Sequence, residues 1–101
     1  MDAEGAPPRV CREARLAGPP EGFGVAALAA LLEPVLVEAA GPDVACVSVN
    51  IELGRRLAPS ETAAEVEAWI ERATRTLVFA AAEARVNGET VGAASAIFSR
   101  T

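Results

Sequence analysis

One carboxylate stands inside an otherwise apolar stretch, Leu31-Leu32-Glu33-Pro34-Val35. A carboxylate held among aliphatic neighbours suits general-base or nucleophilic work, so Glu33 is the candidate catalytic residue. The bland alternative puts it on an exposed helical strip beside a new helix start at Pro34, where the dipole favours negative charge. Glu38, five residues on, falls on another helix face and reads as solvated. Ser48 and Asn50 are spaced to share a strand face with Cys46. They are candidates for orienting a substrate or a water, or they are simply the polar side of a half-buried strand. Arg55-Arg56 and the pair Arg72 and Arg75 are placed to hold a phosphorylated ligand through paired hydrogen bonds. Neighbouring Glu52, Glu61 and Glu71 offer each arginine a simpler ion-pair role.

The absences are as informative. None of the 101 residues is histidine. Ser-His-Asp and Cys-His catalysis, His-bearing zinc motifs and imidazole proton relays are therefore excluded within the chain. Cys46 has no histidine to activate it, so a structural role is expected. Cys11 and Cys46 lack metal-ligand spacing, and they read as two reduced thiols rather than a disulfide. No metal and no resident cofactor are expected. A net charge of −5 with 4% aromatic residues supplies neither the electrostatic nor the stacking contribution that nucleic acid requires. The start, Met1-Asp2-Ala3-Glu4, carries no basic-then-apolar leader, and the stretch Val25 to Ala40 is too short to span a bilayer. A cytoplasmic protein with no membrane partner is the expectation.

These residues must be positioned by very few elements. Residues 1–8, ending in Pro7-Pro8, read as a flexible tail, and residues 9–101 as one domain. Arg9 to Leu16 suits an edge strand or a helical turn, and Gly18-Pro19-Pro20 breaks the chain after it. Gly24 to Ala40 is rich in Ala and Leu and apolar almost all round, which predicts a buried helix, kinked or restarted near Pro34. From Val44 to Leu53 the period changes to two, which predicts a strand. Gly54 to Ser60 reads as a loop, and Thr62 to Arg72 alternates again, with Glu65, Glu67, Trp69 and Glu71 on one side.

Asn87-Gly88 between two apolar runs is a strong hairpin signal. A two-residue turn there pairs Ala84 with Val91, Ala82 with Ala93 and Val78 with Ile97. Both faces of that hairpin are apolar in the middle, while one helix can cover only one of them. The second face is therefore expected to meet another subunit. Trp69 is an interface anchor or a core filler, depending on the turn near Ala73-Thr74.

One apolar helix followed by an antiparallel meander is the order of the hot-dog fold, an α+β architecture in which the sheet wraps a central helix. The segments VACVSVNIEL, AAEVEAWIERATRTLVFAAAEARV, NGE and TVGAASAIFSR resemble the C-terminal part of phenylacetate-degradation-type and 4-hydroxybenzoyl-CoA-type acyl-CoA thioesterases. The resemblance implies a homodimer or homotetramer with active sites between subunits. It also implies hydrolysis of an acyl-CoA or related thioester by a helix carboxylate, here Glu33. Backbone N–H groups at Gly24 and Val25 would polarise the carbonyl, and Arg55, Arg56, Arg72 and Arg75 would meet coenzyme A. Many members carry His-Gly-Gly at the helix start, where this chain has Gly22-Phe23-Gly24. Their acid also comes two residues earlier on the helix, a difference of roughly 200° in direction. That departure keeps open a non-catalytic hot-dog module, either an acyl-ligand binder or a structural oligomer. A cone-shaped cystatin-like arrangement shares the same helix-plus-sheet composition.

Overall fold

The computed structural model describes residues 9–16 and 22–100. The tail expected over residues 1–8 and the break at Gly18-Pro19-Pro20 lie outside the described residues. Strand β1 (Arg9–Arg15) precedes helix α1 (Val25–Ala40), and four strands follow: β2 (Val44–Leu53), β3 (Ala63–Ala73), β4 (Leu77–Val86) and β5 (Glu89–Arg100). They form one antiparallel sheet in the order β1-β3-β4-β5-β2. The fold is α+β, one helix packed on a five-stranded sheet, as expected from the sequence. Arg9 to Arg15 is the edge strand, not the helical turn.

The helix runs unbroken through Pro34. No restart occurs, although Pro34 has no N–H to donate to the Ala30 carbonyl; its ring lies on the exposed face. Burial is one-sided: Leu28, Leu32, Val35, Leu36 and Ala39 face the sheet. The all-round burial predicted from composition is thus not met within the single chain. Instead Val25 and Val37 remain 52% and 47% exposed, and Val47 and Val49 on β2 are 59% and 53% exposed.

Small residues let the sheet approach the helix. Ala64, Val66 and Ala68 of β3 pack with Ala80, Ala82 and Ala84 of β4 beneath it. Burying this apolar surface is the main stabilising term, at about 25 cal/mol per Å².

Asn87 and Gly88 form the expected tight turn, both with positive φ (53° and 80°). Beyond it, the predicted register is wrong by one residue. Ala84 pairs with Gly92, Ala82 with Ala94 and Val78 with Phe98, because Val91 is an extra residue in β5. The Gly54 N–H donates to the Val91 carbonyl at 2.8 Å and so satisfies the bulge. The shift turns Ala94, Ala96 and Phe98 inward and Ala93 and Ile97 outward.

A second bulge, at Val47 in β2, separates Cys46 from Ser48 and Asn50. Cys46 pairs with Phe98 on the helix side, while Ser48 and Asn50 pair with Ile97 and Ser95 on the outer face. The shared face expected of the three residues does not exist. Cys11 and Cys46 are free and exposed, so the structural burial expected of Cys46 is absent in the single chain.

Candidate active site

Helix α1 begins without help from side chains. Gly24 is its N-cap with no side-chain hydrogen bond, and no acidic residue lies in the first turn. The first helical bond runs from the Leu28 N–H to the Gly24 carbonyl at 2.9 Å, so the Val25, Ala26 and Ala27 amides have no intrahelical acceptor. Such donors, with the positive end of the helix dipole, form a site that favours a developing oxyanion. Phe23 and Leu57 are buried beside this end and hold it against the domain.

Glu33 lies two turns further along, exposed, on the flank of α1 turned toward β2. It stands at the rim of a small cavity between helix and sheet, walled by Leu36, Ile51, Ala96 and Phe98. Cys46 also lines this cavity, and its thiol donates to the Ser48 carbonyl at 3.6 Å. Glu33 is eight residues from Val25, or roughly 12 Å along the axis. One substrate carbonyl cannot reach both within one chain.

The other sequence-derived candidates separate by position. Ser48 and Asn50 face away from the helix, on the far side of the sheet from Glu33. Arg72 lies over the Phe79 ring at 5.6 Å, and Arg75 is exposed in the β3–β4 turn. Both belong to the end of the sheet beneath the helix C-terminus, because Val78 pairs with Phe98 and Phe98 with Cys46.

Arg55 and Arg56 belong to the helix N-terminal end, where Gly54 meets Val91. Two of the Arg55 N–H groups donate to the two Glu61 oxygens, at 3.0 and 3.1 Å. Its Nε lies 3.0 Å from a Glu89 oxygen. Glu61 also accepts the Ala58 N–H at 2.6 Å. These bonds, that from Arg55 above all, hold the Glu61 carboxyl below its ordinary range, and they raise the Arg55 value in turn. Arg55 therefore fastens the loop. Arg56, exposed beside it, is the arginine of this pair that is open to a ligand.

The outer face is laced with charge. Glu67 is held below the usual carboxylate range chiefly by Arg9, with Arg85 assisting. Burial opposes the Arg85 cation, and its bonds to Glu67 and Glu83 outweigh that. Trp69 is on this face, as its glutamate neighbours suggested, and Arg9 stacks over its ring at 4.7 Å. Guanidinium groups thus cover both aromatic rings there. The four large apolar side chains left exposed among the described residues, Val25, Val37, Val47 and Val49, lie instead along α1 and β2. Sequence reasoning missed this surface because it looked for the subunit contact on the second face of the last hairpin.

Among the described residues no three His, Cys, Asp or Glu side chains gather as a metal site. No described helix is long and apolar enough to cross a membrane.

No protein-family profile and no curated protein matches the chain. Solved structures do. The chain is similar to AziG of S. sahachiroi, with TM-score 0.79 and 18% identity over 94% of this chain and 85% of that one. Zebra fish thioesterase superfamily member 2 gives 0.79 and 18%, covering 97% and 78%. A mutant of the phenylacetic acid degradation protein PaaI from Thermus thermophilus gives 0.70 and 19%, covering 95% and 88%. At these identities the likeness establishes the architecture: this chain has the hot-dog fold found in thioesterase-superfamily proteins of the PaaI type.

Proposed function

We propose that the protein is a thioesterase that hydrolyses an acyl-CoA or related acyl thioester, and that it acts as a homodimer joined through β2. One observation carries the reading: Glu33, the open helix N-terminus and the exposed valines all border the same unpaired strand. β2 starts beside the C-terminal half of α1, where Cys46 and Glu33 line one cavity. It ends near the helix start, where Leu53 pairs with Gly92 beneath Leu28. A second β2 added antiparallel about a two-fold axis reverses that direction. The partner's Glu33 then approaches Gly24 and Val25 of the first copy, which supplies the pairing that one chain lacks.

In this arrangement the Val25–Ala27 amides donate hydrogen bonds to the thioester carbonyl oxygen as it becomes anionic. Glu33 either takes a proton from the attacking water and passes it to the departing thiolate, or attacks the carbonyl to form a mixed anhydride that water then hydrolyses. In the second course the thiolate takes its proton from solvent. In both, coenzyme A leaves as the thiol and the acyl group as the carboxylic acid. Arg56 is placed for its phosphates near the helix start. Ser48 and Asn50 take no part, since they face the opposite side of the sheet.

The test is thiol release across a panel of acyl-CoA substrates, with Glu33→Gln as the comparison. An active wild type, with activity lost by about a hundredfold or more in the variant at an unchanged melting temperature, is expected. Equal turnover in both proteins would remove Glu33 from the mechanism. No turnover by the wild type would favour a non-catalytic hot-dog module.

A further inference from the structure

Arg55 and Arg56 are neighbours with opposite engagements, one held by carboxylates and the other open. We infer that Arg55 is a positioning residue: it holds the β2–β3 loop in the one course that aims Arg56 at the phosphates of coenzyme A. The inference rests on the thioesterase reading for the ligand and adds a residue that acts without touching that ligand.

Residues 54–62 link β2 to β3 outside the strand ladders, so their course depends on other bonds. At the start the Gly54 N–H donates to the Val91 carbonyl at 2.8 Å, and at the end the Thr62 carbonyl accepts the Leu16 N–H at 2.9 Å. Arg55 supplies the bonds between these anchors. Its Nη1 and Nη2 grip the two Glu61 oxygens at 3.0 and 3.1 Å, and Nη1 also donates to the Arg56 carbonyl at 2.9 Å. Its Nε lies 3.0 Å from a carboxylate oxygen of Glu89, at the start of β5. Glu61 accepts the Ala58 N–H at 2.6 Å and returns its own N–H to the Ala58 carbonyl at 2.9 Å, which closes the turn. One guanidinium thus joins both halves of the loop to the last hairpin.

Arg56 stands inside that frame. Its own carbonyl is held by Arg55, and Leu57 after it is 7% exposed, in the same core cluster as Phe23 and Leu28 at the helix start. The backbone on both sides of Arg56 is therefore fixed, while its side chain is exposed and has no ion pair among the described residues. Arg55 is poorly suited to the phosphate itself, because Glu61 and Glu89 together outweigh its charge and would repel an anion. A guanidinium recognises phosphate through paired, directional hydrogen bonds, so what Arg56 gains depends on its aim. On a wandering loop, much of that gain would go to ordering the segment at the moment of binding. The contribution of Arg55 is thus made through Arg56, and it disappears where Arg56 or the phosphates are absent.

Calorimetric titration with free coenzyme A reads binding apart from hydrolysis. Arg56→Ala should weaken coenzyme A by about tenfold or more, as loss of a charge-assisted hydrogen bond does. Arg55→Lys keeps the charge but loses the fork, and should weaken it by about three- to tenfold. In the double variant the loss should be no greater than in Arg56→Ala alone. In turnover, Arg55→Lys should raise KM for acyl-CoA with kcat nearly unchanged, and should leave KM for the matching acyl-pantetheine, which has no phosphate, where it was. Should Arg55→Lys not fold, Glu89→Gln, whose side chain is 67% exposed, takes its place in the same cycle with a smaller effect. Additive losses, wild-type affinity in Arg55→Lys, an equal rise in KM for the phosphate-free thioester, or absence of coenzyme A binding by the wild type would each overturn the assignment. The same non-additive pattern in binding, without thiol release by the wild type, would refute hydrolysis and support the positioning role.

Discussion

Replacing Gly92 by alanine tests how tightly the helix start is seated on the sheet. A Cβ built at Gly92 would lie 2.3 Å from Leu28 Cδ2, 2.8 Å from Cδ1 and 3.1 Å from Cγ. Carbon pairs settle at about 3.5–4.0 Å, so the contact is repulsive by more than an ångström. Leu28 has no exposed surface and is enclosed by the core, so its methyl groups cannot swing into solvent. Either Leu28 leaves its rotamer or the first turn of α1 lifts. Overpacking of this kind costs about 1–3 kcal/mol. For a domain near 100 residues, each kcal/mol lowers the melting temperature by about 4–8 °C, so Gly92→Ala should melt roughly 5–20 °C below wild type. Leu28→Ala alone should cost about 2–5 kcal/mol through the cavity it leaves. In the double variant the new methyl group meets open space, so the losses should fall short of additivity by about 1–3 kcal/mol. Thermal and denaturant unfolding at a fixed protomer concentration measure all three. A Gly92→Ala protein melting with wild type, or a cycle additive within about 0.5 kcal/mol, would refute the close approach as the reason for glycine.

Other consequences are simpler to measure. Glu61→Gln removes the charge that Arg55 and the Ala58 amide stabilise. Because the folded-state Glu61 value is depressed, its contribution is full above the ordinary carboxylate value of 4.5 and disappears as pH falls through the lowered value. The melting difference between wild type and variant should therefore be largest near neutrality and vanish in acid; a difference that grows in acid contradicts the clasp. Val47→Glu places a charge on the exposed β2 surface and should halve the sedimentation mass at micromolar concentration while leaving the circular dichroism unchanged. An unaltered mass would move the subunit contact away from β2.

The sequence made the elements legible and blurred their faces. Period-two patterning located β2 at Val44–Leu53, and Asn87-Gly88 located the last turn, because both signals are local. The register beyond that turn failed at Val91, since a bulge depends on what lies across the sheet. One signal was present: Gly92 inside a strand marks a close approach, here to Leu28. The bulge at Val47, by contrast, had no local marker, and it moved Cys46 away from Ser48 and Asn50. At the candidate site, the apolar setting of Glu33 singled it out. Its exposure on the β2 flank and the commitment of Arg55 to Glu61 are tertiary facts that composition does not carry. The smooth hydrophobicity of α1 suggested burial all round, whereas the folded chain covers one side only.

The two borders of the sheet are unlike each other. β1 is seven residues long and carries Arg9, Arg12, Glu13 and Arg15, with Arg12 tied to Glu38 of the helix. Such a border repels further strands through charge and brevity. β2 is ten residues long and carries one charge, Glu52. A strand joining this chain therefore finds one welcoming border and one guarded border. When two copies meet through β2, both welcoming borders are consumed and the joined sheet ends in two guarded ones. Edge-to-edge growth then stops at two chains, so a protein with an open strand avoids becoming the seed of a fibre.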